Sequence, residues 1–230
     1  MRISGIQKLT LLDYPGTVAC TVFTGGCNFR CPYCHNASLV TGEDSGSIDI
    51  SEFTAFLDKR KKVLDGVVIT GGEPTLHKDL PQLLEKIRER GYLIKLDTNG
   101  SSPGMLKEIV SEGLVDYIAM DIKNSPGGYA KAVGVTHLDI TAIDESRSLI
   151  MTGDIDYEFR TTVVRGIHRP ADITKIAEWI RGARSYYLQQ FKDSGDLVDP
   201  AGLEAYDKEE MYMFADAARP YVPSVRVRGV

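Results

Sequence analysis

The chain alternates short apolar runs with amphipathic stretches of helical period, six times in succession. Thr17 to Thr24 reads as a strand. So do Val67-Val68-Ile69-Thr70, Tyr92 to Leu96, Asp116 to Met120, Tyr157 to Val164 and Tyr186 to Phe191. Each is followed by apolar residues three and four apart. Phe53, Phe56, Leu57 and Leu64 form the first stripe; Leu80, Leu83, Leu84 and Ile87 the second; Met105, Leu106, Ile109 and Val110 the third. A weaker stripe runs near Ile140 to Ile150, then come Ile173, Ile176, Ala177 and Ile180, and last Met211, Phe214, Ala215 and Ala218. Asp79 and Gln82 stand at capping-box spacing, and Gly91 follows that helix. Such alternation requires parallel strands with helical crossovers. A closed eight-unit barrel takes about 250 residues. This chain has 230 and fewer units. The expected fold is α/β: a partial (β/α)6 barrel open on one side. It is one domain over 1–230, with a C-terminal helix and tail over 200–230 and a short final strand at Val225 to Val227. A flat doubly wound sheet has the same periodicity and stays open as an alternative. Asn36 to Asp49 is polar and reads as a loop.

Hydrophobic residues at 43% and charged residues at 26% exclude a disordered or fibrous chain. Lys plus Arg is 27 against 32 Asp plus Glu, a net charge of −5. That balance gives no electrostatic support to a nucleic-acid or anionic-membrane partner. No apolar run approaches the roughly 20 residues that span a bilayer. Met1-Arg2-Ile3-Ser4-Gly5 lacks a signal-peptide stretch, so the expected location is cytoplasmic.

The polar motifs fall where strands end. Gly25-Gly26-Cys27 follows the first strand, Gly71-Gly72-Glu73-Pro74 the second, Asp97-Thr98-Asn99-Gly100 the third and Asp121-Ile122-Lys123 the fourth. Arg160 lies inside the fifth. In parallel barrels these ends converge on one mouth, where active sites form. Three of the four cysteines, Cys27, Cys31 and Cys34, sit within a loop at 25–36 that also holds Pro32. Soft thiolates at loop spacing suit zinc or an iron–sulfur cluster. A closed zinc site needs four ligands. Cys20 reads as a core residue between Val18 and Val22, and His35 directly follows Cys34, so neither is a good fourth. A structural zinc protein is the reading from outside enzymology.

Cys-x3-Cys-x2-Cys with Tyr33 before the third cysteine resembles the signature of radical S-adenosylmethionine (SAM) enzymes, which use a partial (β/α) barrel. Gly71-Gly72-Glu73-Pro74 looks like that superfamily's second motif. Asp13-Tyr14-Pro15-Gly16 with Cys31-Pro32-Tyr33-Cys34-His35-Asn36 resembles the glycyl-radical-enzyme activases. The chain as a whole is most similar to the anaerobic ribonucleotide reductase activating proteins.

The resemblance implies a [4Fe-4S] cluster on Cys27, Cys31 and Cys34, with SAM on the open iron. Gly71, Gly72 and Glu73 would meet the SAM ammonium, Tyr33 and His35 the adenine. Asp97, Thr98, Asp121 and Lys123 match ribose, carboxylate and cation contacts. Asp13 and Arg160 match positions near the partner's glycine loop. The implied reaction is reductive cleavage of SAM, with the resulting radical taking a hydrogen atom from a glycine of another protein. One cysteine left over cannot hold a second cluster, so the electron must come from an external flavodoxin or ferredoxin. Pyruvate formate-lyase is the alternative partner, and a small-molecule radical SAM enzyme the alternative activity. Gln189-Gln190-Phe191 stands where some formate-lyase activases carry a histidine. His77 and His168 read as surface loop residues.

Overall fold

A computed structural model describes residues 3–41, 47–193 and 195–230. The chain opens with strands β1 (Ile3–Thr10) and β2 (Ala19–Thr24). Helices α1 (Ala37–Thr41) and α2 (Ile50–Arg60) lead to β3 (Gly66–Gly71), and α3 (Leu80–Arg88) leads to β4 (Leu93–Thr98). Next come α4 (Pro103–Ser111), β5 (Tyr117–Asp121), α5 (Tyr129–Val133), α6 (Ile140–Thr152) and β6 (Asp156–Val163). The chain finishes with α7 (Pro170–Trp179), β7 (Tyr186–Gln190), α8 (Lys208–Ala218) and β8 (Val225–Arg228).

All eight strands lie in one sheet in chain order, β1 to β8. β1 pairs antiparallel with β2, and every later neighbour is parallel. A doubly wound sheet would reverse its order partway. Here each crossover advances one strand in the same direction, which is barrel winding, and β1 and β8 do not meet. The open partial barrel is therefore correct, with β1 added in front of the expected strands. β1 escaped the periodicity because it is a half-exposed edge strand without alternation. α1 is an addition within the stretch read as a loop, and α5 is an addition in a stretch to which the sequence assigned no element. Residues 42–46 of the expected polar loop lie outside the described residues. Asp79 does precede α3, but no side-chain capping hydrogen bond forms there.

Period two decides what each strand shows to either side. Cys20, Val22, Val67, Ile69, Ile94, Leu96, Ile118 and Met120 are fully buried in one cluster with Phe53 and Leu57 of α2, Leu83, Leu84 and Ile87 of α3, and Leu106 and Ile109 of α4. Burying each such side chain stabilises by about 1.5–3 kcal/mol. The alternate residues, among them Lys95, Asp97, Asp121, Glu158 and Arg160, face the inside of the barrel. At its lower end Tyr14 packs on Ala19, Val68 and Tyr117 and closes the floor. No helix among the described residues is long and apolar enough to cross a membrane.

Candidate functional site

An open cavity of about 250 Å³ lies over the C-terminal strand ends, lined by Cys27, Cys31 and Cys34 with residues from β3 through β7. The cysteine loop is held by backbone bonds that its own sequence cannot make. Gly26 N–H donates to Leu39 O at 2.9 Å, Arg30 N–H to Val133 O at 2.8 Å, and Asp199 N–H to Pro32 O at 3.0 Å. Arg30 Nη1 turns back to Cys27 O and Phe29 O at 2.6 and 2.9 Å. Burial pushes the Cys31 thiol up to about 12 and also raises Cys27, against the opposing pull of the Lys123 charge. Among the described residues no three Cys, His, Asp or Glu side chains converge tightly enough to chelate one ion. The three thiols line one wall of the cavity.

The glycines of Gly71-Gly72-Glu73 serve a purpose the sequence did not disclose. A Cβ on Gly72 would stand 1.8 Å from Gly26 O, and one on Gly71, whose φ is +119°, would stand 2.2 Å from Thr24 N. Glu73 N–H donates to Gly26 O at 2.8 Å. The second motif is thus pressed onto the cysteine loop, and only glycine permits that approach. The Glu73 carboxylate is buried. Its Oε1 accepts from Thr75 N, Thr75 Oγ1 and Thr98 Oγ1 at 3.1, 2.5 and 2.7 Å, and its Oε2 accepts from Asn99 N at 2.6 Å. Burial raises its pKa in spite of these donors. Glu73 also holds the Thr98–Asn99 turn, a structural role the sequence did not reveal.

On the inner face the charges form a row. Lys95 Nζ pairs with Asp97 Oδ1. Arg160 bridges Asp97 Oδ2 through Nη1 and Asp121 Oδ1 through Nε, each at 2.9 Å. Lys123 Nζ reaches Asp121 Oδ2 at 3.0 Å. The ladder partner of Asp121 is Arg160 itself. Burial alone would raise Asp121, but the Arg160 and Lys123 charges overcome it and hold the carboxyl at about 2. Asp97 is lowered in the same way by Arg160 and Lys95. Lys95, Arg160 and Lys123 thus interleave with two carboxylates, and the buried Glu73 carboxylate lines the same cavity as Arg160 and Lys123.

Tyr33 is buried and its hydroxyl has no hydrogen-bond partner. The His35 ring tilts over Phe191 at 5.9 Å. Of the residues proposed from sequence, the cavity gathers the three cysteines, Tyr33, His35, Gly71, Gly72, Glu73, Asp97, Thr98, Asp121, Lys123 and Arg160. Asp13 is not in its lining; it lies on the β1–β2 connection, where its Oδ2 accepts from Thr21 Oγ1 at 2.6 Å. Sequence reasoning missed Asn99, Thr162 and Gln189 as lining residues. Asn99 was legible within its Asp-Thr-Asn-Gly run; its amide reaches Asn28 Oδ1 at 3.0 Å and Cys27 Sγ at 3.9 Å. The surface reading of two histidines is wrong. His77 is half-buried with Nε2 at 3.0 Å from Gly25 O, and His168 is fully buried. Both were pulled inward by carbonyls of distant loops, which spacing cannot reveal.

The chain is 30% identical, over 99% of its length and 96% of the other's, to a Methanocaldococcus jannaschii protein that carries the provisional name glycyl-radical enzyme activating enzyme. It is 32% identical over 54% of its length to the pyruvate formate-lyase-activating enzyme of Clostridium pasteurianum, covering 52% of that protein. It is also 31% identical to the 7-carboxy-7-deazaguanine synthase of Methanopyrus kandleri, over 77% of each. Its fold matches a radical SAM methyltransferase from Sphaerobacter thermophilus with a TM-score of 0.72 at 16% identity, over 96% of this chain and 69% of that one. The family description Radical SAM superfamily matches residues 21–144, more than half of the chain and the part that carries the cysteine loop and the next three strand-end motifs. On that match and the cavity's make-up, the chain belongs to the radical SAM superfamily.

Proposed function

We propose that this protein is a radical SAM activase that installs a glycyl radical on a separate enzyme. Anaerobic ribonucleotide reductase is the first choice of partner and pyruvate formate-lyase the second. Superfamily membership implies a [4Fe-4S] cluster and SAM, and the cavity fits both. It offers three thiols in one wall, a tyrosine beside them, and both cations and carboxylates in its lining for a zwitterionic ligand. When bound, these groups supply reductive carbon–sulfur cleavage and a hydrogen-abstracting carbon radical.

The chain's own residues hold and orient. Cys27, Cys31 and Cys34 would ligate the cluster and lose their protons on doing so, since thiolate is the ligand form. Tyr33 and His35 flank the adenine. Lys123 and Asp121 meet the ribose and carboxylate. Arg160 holds Asp97 and Asp121 together and keeps both ionised. Glu73 and Thr98 fix the turn beside them, and Oε2, with one donor, has room for the SAM ammonium. Gly71 and Gly72 seat this motif on the cysteine loop.

The observation that carries the partner reading is the open side. Among the described residues the sheet ends in two edges, β1 and β8, that do not pair with each other, and the charge row lies on the face between them. A protein loop can enter there, with half-exposed Asp13 as a contact along its way. Cys20 is buried in the core, so a flavodoxin or ferredoxin is the proposed electron source. The test is to mix the reduced, cluster-loaded protein with SAM and an anaerobic ribonucleotide reductase. A glycine α-radical doublet in the electron paramagnetic resonance spectrum of the partner is the expected result. The similarity to a deazaguanine synthase favours a second reading, action on a small heterocycle. Consumption of such a compound, with no radical on any glycyl radical enzyme of the same genome, would establish it instead.

A further inference from the structure

His168 lies directly behind the cavity, 1% exposed, with every polar atom engaged. The Val164 N–H donates to Nδ1 at 3.1 Å. Nδ1 is therefore an acceptor, and the ring is neutral with its proton on Nε2. Nε2–H donates to the Lys123 carbonyl at 2.7 Å. The ring meets the Tyr33 ring edge-on, 6.2 Å between centroids at 64°. The His168 carbonyl accepts from Tyr206 Oη at 2.7 Å, and its N–H donates to Val164 O at 2.8 Å. One imidazole thus joins the loop after β6, the end of β5 and the cysteine loop, and its backbone ties in the segment before α8.

We propose that His168 is a positioning residue for the SAM site: it sets where the Lys123 ammonium and the Tyr33 ring stand without touching the cofactor. The inference rests on the reading of Lys123 and Tyr33 as SAM contacts. The chain leaves the sheet just before Lys123. Ile122 is still tied to β6, its N–H donating to Arg160 O and its carbonyl accepting from Thr161 Oγ1 at 2.8 and 2.6 Å. At Lys123 the imidazole takes over from the strand ladder. It fixes the peptide plane from which the Lys123 side chain departs toward Asp121. Tyr33 has no hydrogen bond through its hydroxyl, so ring contacts such as the one with His168 locate it. A buried neutral imidazole suits this place. It satisfies one donor and one acceptor on separate loops and brings no charge next to Lys123.

Two polar replacements separate the two nitrogens. Gln places its amide near the Nε2 position and retains a donor for Lys123 O. Asn is one methylene shorter, keeps an acceptor for Val164 and loses Lys123. SAM affinity is measured by anaerobic calorimetry on cluster-loaded protein, with iron content and melting temperature as checks on folding. His168→Gln should bind within about threefold of the parent, and His168→Asn about tenfold more weakly. In a Lys123→Met background the Asn penalty should shrink to the part that acts through the Tyr33 ring, because the rest acts through Lys123. An Asn variant that binds like the parent, a Gln variant as weak as Asn, or a penalty undiminished without Lys123 overturns the inference. If Lys123→Met alone binds SAM normally, the assignment of Lys123 as a contact fails and takes this inference with it, a result distinct from the others. A measurement without variants runs beside it. In protein labelled with ¹⁵N-histidine, the ring signal that His168→Gln removes should be the neutral Nε2–H form and shift when S-adenosylhomocysteine is added; no shift of that signal also overturns the proposal.

Discussion

The Glu73 carboxylate and the Asn99 backbone N–H, on the ends of β3 and β4, are joined by a buried 2.6 Å hydrogen bond. With Thr98 Oγ1 on the other oxygen, this one side chain fastens two motifs that the sequence presents as independent. Glu73→Ala leaves the Thr98 and Asn99 donors buried without an acceptor. Each unsatisfied group costs about 1–3 kcal/mol. The variant should melt lower as well as bind SAM poorly, and Glu73→Gln should lie between it and the parent. Thermal denaturation of the metal-free chains checks this, and an unchanged melting temperature for Glu73→Ala refutes it.

Gly72→Ala should lose iron. Its Cβ would need the space of Gly26 O, so the cysteine loop must be pushed away. Gly104→Ala is the control, since nothing lies within 4 Å of a Cβ there. Iron per chain after anaerobic reconstitution distinguishes them, with about four expected for the parent and the control.

Removing any one of Cys27, Cys31 or Cys34 should abolish the brown chromophore, while Cys20→Ala should keep it at a cost in stability. Cys20 is fully buried beside Val22 and Val67. Stoichiometric zinc in anaerobically prepared parent protein would contradict the cluster assignment.

Acid should weaken the fold through Asp121. Its folded pKa, about 2, lies below the ordinary carboxylate value near 3.9. Between those values the unfolded chain binds the extra proton, so stability rises with pH. The contribution is fully present above about pH 4 and disappears as pH falls toward 2. Arg160→Gln removes the charge chiefly responsible and should flatten that slope. Urea midpoints for both chains across pH 2–5 give the comparison; identical slopes would show that Arg160 is not the cause.

The winding of the barrel was legible because buried parallel strands announce themselves as runs such as Val67-Val68-Ile69, each answered by a helical stripe. β1 was not, since an edge strand that buries only Ile3 and Thr10 fully leaves no periodic trace. At the site, residue type revealed the cysteines and the Asp-Ile-Lys segment. It did not reveal why Gly72 is glycine, for the reason is Gly26 O, 46 positions earlier in the chain. Nor could it show that Arg160 lies between two carboxylates, which depends on the register of β5 with β6.

Because spatial order copies chain order across all eight strands, the protein also has a sequence of assembly written into it. Each new strand emerging from the ribosome finds its neighbour already present, and no long-range pairing must wait for the C-terminus. The contacts of Cys27, Gly26, Gly72, Glu73 and Asn99 with one another are complete once β4 and the turn after it have been made. The charge row waits for Lys123 and Arg160, and Phe191 and Asp199 reach the cysteine loop later still. Synthesis therefore finishes the cradle for the metal first, the chamber for the nucleoside second, and the buttress behind both last.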